Sequence, residues 1–184
     1  MPLHGTFARV YGTALPPQGY VQFCTAKPLE CKSDDKRRKR VDASPTRLAE
    51  LDLVNRAVNA EIAPVEDIEQ YGVEEYWTLP TSGRGDCEEY VLVKRKKLIA
   101  TGWPPSALLI TVVLDENRQG HAVLTARLSR GDVVLDNKNS KLKSWSDTPY
   151  TYLMRQSYLN PNSWVALAPI ARRNRAMTAG MPRQ

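Results

Sequence analysis

The sequence predicts an α+β fold, and three observations predict it. An apolar stripe with helical spacing runs from residue 48 to residue 62. A second helical segment opens at Gly85-Asp86-Cys87. Beyond Pro104-Pro105 the pattern changes to short, β-branched runs, so helices come first and strands follow as an antiparallel sheet. The chain of 184 residues is the size of one ordinary domain with its own core.

The first helix begins at Ser44, a good N-cap, with Pro45 at the first helical position. Leu48, Leu51, Val54, Val58 and Ile62 then recur at spacings of three and four, and Pro64 ends the segment. A short helical turn over 65–71 closes at Gly72. Trp77 to Gly85 reads as loop. The second helix starts at Asp86 and runs to about Thr101, where Gly102 and Pro104-Pro105 stop it. Strands are expected at Leu108–Leu114, Ala122–Leu128, Val133–Leu135 and Trp164–Pro169. Residues 1–43 read as an irregular N-terminal segment, with at most a short strand or turn near Tyr20–Phe23. Residues 44–170 form the core, and residues 171–184 read as a mobile basic tail. No internal repeat is present.

Charge is unevenly placed. The net +6 resides in the flanks: residues 48–170 hold 13 Lys/Arg against 16 Asp/Glu, whereas residues 171–184 hold four Arg and no acid. A nucleic-acid-binding domain carries its positive charge on the folded body, so the balance argues against a nucleic-acid partner. The run Lys36–Arg40 reads as a solvated loop beside Asp34, Asp35 and Asp42. No apolar run approaches the roughly 20 residues of a membrane span.

Three cysteines occur, Cys24, Cys31 and Cys87. The Cys24/Cys31 spacing allows a local disulfide, worth about 2–3 kcal/mol for so short a loop. The two histidines, His4 and His121, lack the paired spacing of zinc ligands. Cys87 is then the odd thiol and a candidate reactive group. No signal peptide is visible, as expected of a sequence that begins at a mature N-terminus.

Gly83 and Gly85 let the chain turn tightly into the second helix, and Asp86 with Glu89 forms a capping-box pattern. Cys87 falls in the first turn, where the helix dipole favours thiolate. Asp86, Glu88 and Glu89 push the other way, so a basic partner is needed. His121 opens a strand and Asp136 ends the next; a carboxylate beside the imidazole would fix its tautomer. Register decides whether they meet. The expected register uses a wide loop, 127–130, so that 126 pairs with 131 and His121 faces Asp136. A tight turn at Arg130-Gly131 would set Asp136 opposite Thr125. Each residue also has a plain structural reading: a small buried cysteine, a surface histidine, a turn at Asp-Asn. Arg84-Gly85-Asp86 is absorbed by the helix start, and Gly83-x-Gly85 is too short for a phosphate loop.

Taken in order, Tyr76-Trp77-x-x-Pro80, Gly83-x-Gly85-Asp86-Cys87-Glu88-Glu89-Tyr90, Gly120-His121-Ala122-Val123-Leu124 and Val134-Leu135-Asp136-Asn137 resemble the bacterial transglutaminase-like cysteine proteinases, relatives of the LapG periplasmic proteases. The resemblance spans roughly residues 15–170. It implies a papain-like or transglutaminase-like core with a catalytic helix packed on an antiparallel sheet. It implies a cysteine peptidase in which Cys87 is the nucleophile, His121 the base and acid, and Asp136 the orienting residue, through a thioester. Acyl transfer to an amine is the variant chemistry, and a protein-interaction module without turnover the rival class. An upstream aromatic can help bind the oxyanion in such folds; Trp77 is the candidate, with a plain core role as its alternative. The chemistry itself requires no cofactor. The resemblance also implies a calcium site near the helix, with Asp86 and Glu88 at the matching positions, although a helix cap accounts for Asp86 without a metal. It further implies a protein or peptide substrate, a periplasmic or secreted setting, and a membrane-anchored regulator as partner.

Overall fold

A computed structural model describes residues 7–32 and 40–169. His4, Lys36–Lys39 and the tail over 171–184 lie outside the described residues. The elements in order are β1 (Thr13–Ala14), α1 (Gln18–Ala26), α2 (Pro45–Glu61), β2 (Ala63–Pro64), α3 (Asp67–Tyr71), β3 (Arg84–Gly85), α4 (Cys87–Ala100), β4 (Leu108–Leu114), β5 (Gly120–Leu128), β6 (Gly131–Leu135), β7 (Lys143–Ser144), β8 (Thr151–Gln156) and β9 (Trp164–Ala166). Seven strands form one antiparallel sheet in the order β1-β9-β8-β4-β5-β6-β7, and β2 and β3 make a small parallel pair. The fold class is α+β, as the sequence predicts. No helix among the described residues is long and apolar enough to cross a membrane.

Helix starts follow the local chemistry. The Ser44 side chain accepts from the Arg47 N–H, and Pro45 opens α2. Gly72 closes α3 in the left-handed conformation at φ 74°. One face of the sheet packs on the helices through Leu51, Val91, Leu98, Trp103, Ile110, Leu124 and Leu135. The other face is covered around Ala8, Val113, Val123, Val134, Tyr152 and Leu167.

Three expectations are corrected. The irregular N-terminal segment contains α1, which starts directly after Pro17 and buries Tyr20 and Phe23. Pro16-Pro17 and Gly19 disguise it, but Pro17 needs no N–H at a helix start. Strand β8, in the interior of the sheet, went unread because its Arg155 and Gln156 are polar yet buried. Arg155 pairs with Asp132 at 3.0 Å, and the Gln156 Oε1 accepts from the Ile110 N–H at 2.9 Å. Finally, Arg40 is no solvated end of a basic run. It meets Asp132 at 2.6 Å and so fastens the segment that precedes α2 to the sheet. Cys24 and Cys31 are joined in a disulfide that ties the end of α1 to the turn after it.

Candidate active site

The capping box forms as its sequence implies. The Asp86 carboxylate accepts from the Glu88 N–H at 3.2 Å, and Glu89 accepts from the Asp86 N–H at 2.9 Å. Gly85 must be glycine, because a Cβ there would lie 2.6 Å from the Glu89 Cβ. This fixes Cys87 as the first residue of α4. Its Sγ accepts from the Ala122 N–H on β5 at 3.4 Å and donates to the Glu88 Oε2 at 3.1 Å. The residue before Ala122 is His121, so β5 brings the His121 backbone beside the sulfur, and His121 lines one cleft with Glu88 and Trp77.

His121 Nε2 meets Asp136 Oδ1 at 2.9 Å, with both side chains buried. That commitment leaves Nδ1 as the ring nitrogen free for a second partner. The register between them is neither of the two foreseen. Leu128 pairs with Gly131 and Leu124 with Leu135, around a two-residue turn at Ser129-Arg130. Gly131 supports the turn with φ 141°, a backbone state that side chains disfavour. Asp136 is therefore not opposite His121, and the two meet along a diagonal.

Asp136 is held from every side. Its Oδ2 accepts from the Tyr150 hydroxyl at 2.5 Å, its Oδ1 from the Lys138 N–H at 3.0 Å, and its carbonyl from Asn59 Nδ2 at 2.8 Å. Burial would raise this carboxyl, but the bonds from His121 and Tyr150 win and hold it below the usual range. The Tyr150 ring meets the His121 ring edge to face, with centroids 5.5 Å apart. Neither Tyr150 nor Asn59 was singled out from sequence. The chain before β8 gave no strand signal, and Asn59 looks like an ordinary polar residue of an amphipathic helix.

In this arrangement the surroundings of Cys87 work against the thiolate that the helix dipole favours. Burial pushes the thiol well above its ordinary value, and the Glu88 carboxylate, then Asp86, push it further. Trp77 is buried and donates its indole N–H to Glu75 at 3.2 Å, so that donor is already engaged. The ring still walls a cleft of about 470 Å³ shared with Gln18, Gln22, Glu75, Glu88 and His121.

Two acidic groupings lie beside the sulfur. Asp86, Cys87 and Glu88 bring ligand atoms within 4.8 Å of one another, and so do Asp67, Asp86 and Glu89. Asp67 was not expected. It is buried, its Oδ1 has no hydrogen-bond partner among the described residues, and burial, reinforced by Asp86 and Glu75, raises its pKa to about 6. Buried carboxylates crowded together, one with an idle oxygen, fit a hard divalent cation.

The family model of the bacterial transglutaminase-like cysteine proteinases matches residues 10–172. The chain belongs to this family. Its fold also matches solved structures of Legionella pneumophila LapG. The calcium-bound form aligns with a TM-score of 0.57 at 22% identity, covering 75% of this chain and 82% of that one. A further LapG structure aligns at 0.57 and 23% identity, covering 75% and 78%. The EGTA-treated form aligns at 0.53 and 25% identity, covering 62% of this chain and 64% of that one, just under two thirds of its length. No curated protein matches the chain. Family membership makes this a transglutaminase-like cysteine proteinase fold of bacterial type, and the Cys87–His121–Asp136 order in sequence is the order in which α4, β5 and the end of β6 assemble the site.

Proposed function

We propose that this proteinase hydrolyses amide bonds in protein substrates through Cys87, His121 and Asp136. The observation that carries the reading is the chain of contacts Cys87–Ala122–His121–Asp136, with Sγ 3.4 Å from the Ala122 N–H and Nε2 2.9 Å from Asp136. His121 Nδ1 takes the thiol proton as Sγ attacks the carbonyl carbon. The resulting imidazolium gives that proton to the departing amine, leaving a thioester. Water, deprotonated by His121, then attacks the thioester carbonyl and releases the acid and the thiol. Asp136 fixes the imidazole tautomer and stabilises its cation. The Cys87 N–H is an orphan donor at the first helical position, suited to the oxyanion. Trp77, with its N–H on Glu75, is better read as cleft wall.

A calcium ion would be held by Asp67, Asp86 and Glu89, with Glu88 at the edge of the set, and would supply positive charge that offsets the acids around Cys87. The disulfide supports an oxidising, periplasmic setting, where proteins of the surface and periplasm are the accessible substrates.

The test is turnover of an unfolded protein substrate by wild type, Cys87→Ala and His121→Ala, with mass spectrometry of the quenched reaction. Cleavage lost in both variants, with an acyl adduct on Cys87 in wild type, is the expected result. Cleavage that persists in Cys87→Ala overturns the proposal.

A further inference from the structure

The β5–β6 ladder stops at Leu124 and Leu135, short of both His121 at the start of β5 and Asp136 after β6. An ion pair reaches across that open end. Lys138 Nζ meets Asp115 Oδ2 at 2.6 Å. Asp115 follows β4, six residues before His121, and Lys138 comes two residues after Asp136.

Both partners are bound into the backbone around them. The Asp115 side chain is buried, and its Oδ1 accepts from the Asn117 N–H at 2.9 Å and the Gln119 N–H at 2.8 Å. It thereby shapes the turn that leads into Gly120-His121, in which Arg118 adopts φ 63°, a conformation that side chains disfavour. Lys138 is held at its other end, where its N–H donates to the Asp136 Oδ1 at 3.0 Å. Lys138, Asp136 and Tyr150 line one small cavity of about 150 Å³ with Glu116 of that turn. The turn uses only one oxygen of Asp115. The other oxygen, and the counter-charge a buried carboxylate needs, tie the turn to the segment that carries Asp136.

We propose that Asp115 and Lys138 are positioning residues, a strut that keeps His121 and Asp136 in register beyond the end of the ladder. The strut limits the motion by which the imidazole and its carboxylate would part. Its catalytic consequence rests on the proposed role of His121, whereas the mechanical coupling stands without it. Neither side chain lines the cleft beside Trp77, so substrate binding is left to other residues.

The experiment follows the His121 ring of the intact protein by proton–nitrogen NMR. Lys138→Met removes the ammonium and keeps the stem, and Asp115→Asn keeps the oxygen that the turn uses. In either variant the proton between Nε2 and Asp136 should exchange with water several-fold faster than in wild type. Lys138→Arg, which keeps the charge, should restore most of the protection. The double variant should do no more than either single one, because both remove the same contact. In turnover, kcat should fall roughly threefold with KM unchanged. Ring exchange unmoved in folded Lys138→Met and Asp115→Asn overturns the strut, even where Tm falls, and so do effects that add in the double variant. Faster exchange with an unchanged kcat overturns its catalytic consequence. Wild-type protein that cleaves nothing sinks only the peptidase proposal, since the exchange reading needs no turnover.

Discussion

Asp136 bonds to His121 along the diagonal of the β5–β6 ladder. The pairing ends at Leu124 with Leu135, and continuing it would set Asp136 beside Val123, two residues from the histidine. Diagonal neighbours on one face remain within reach of side chains of this length. Such a bond depends on how the carboxylate is aimed, because the ladder itself does not place it.

Tyr150 supplies much of that aim through the 2.5 Å bond to Oδ2. A hydrogen bond to a charged group contributes about 1.5–3 kcal/mol. Tyr150→Phe should therefore lower kcat/KM roughly tenfold with the fold retained by circular dichroism. Unchanged kinetics would remove Tyr150 from the support of Asp136.

The acid side of the stability profile should report the same carboxylate. Asp136 is held below its usual value against its burial. A depressed folded value means stability that is present above the unfolded value, about 3.9, and is lost as pH falls toward the folded one. Asp136→Asn should flatten the loss of Tm below about pH 4. An acid limb as steep as that of wild type would show that other carboxylates carry it.

Asp67 has the opposite sign. Its folded value of about 6 lies above the unfolded one. Its contribution is complete below about pH 3.9 and disappears as pH rises through about 6. At pH 7.5 in EGTA, Asp67→Asn should raise Tm by a few degrees, on the order of 1 kcal/mol. Calcium should raise the wild-type Tm under the same conditions and raise that of Asp67→Asn much less. Equal increments in the two proteins would exclude Asp67 as a ligand.

Helix α4 was legible in the sequence because its start is written locally. Gly85, Asp86 and Glu89 specify the cap and its close approach within five residues. The meeting of His121 and Asp136 was not legible to the same degree. Alternation assigns each residue a face, but the turn sets the register, and Ser129-Arg130 carries no strong turn signature. Tyr150 was hidden with the strand that follows it, because Arg155 and Gln156 break the apolar pattern while forming buried polar pairs. Asp67 falls inside the short helical turn expected over 65–71, where nothing local marks it. Only the folded chain brings it to Asp86 and Glu89.

The cleft wall offers a test that leaves the reacting groups untouched. A Cβ on Gly19 would lie 2.4 Å from Trp77 Cδ1 and 2.8 Å from its Nε1. The Trp77 ring is buried against Tyr20, with centroids 5.7 Å apart, so it has little room to retreat. Gly19→Ala should cost about 1–3 kcal/mol, the usual price of overpacking, and should raise KM more than it lowers kcat. A variant with wild-type Tm and KM would mean that α1 shifts freely, and the cleft would then be poorly defined on that side.

Burial first and Glu88 second set how readily Cys87 ionises. Burial is the largest influence holding the thiol up, followed by the charge of Glu88 and its 3.1 Å contact with Sγ. Burial raises the Glu88 carboxyl itself to about 10, so its charge acts on the thiol only near and above that pH. Glu88→Gln keeps the size of the side chain and removes that charge, while the helix terminus and the Ala122 N–H continue to favour thiolate. Because one unit of pKa is tenfold in thiolate, iodoacetamide should label the variant several-fold to about tenfold faster than wild type near pH 10, and at much the same rate at pH 7, where Glu88 is largely protonated. Asp86→Asn should accelerate labelling less, since Asp86 acts on the sulfur more weakly and its cap on α4 is weakened by the change. Labelling of Glu88→Gln at or below the wild-type rate near pH 10 would show that burial alone restrains the thiol. The acidic residues beside Cys87 would then serve the metal site and the cap, with no hold on the nucleophile.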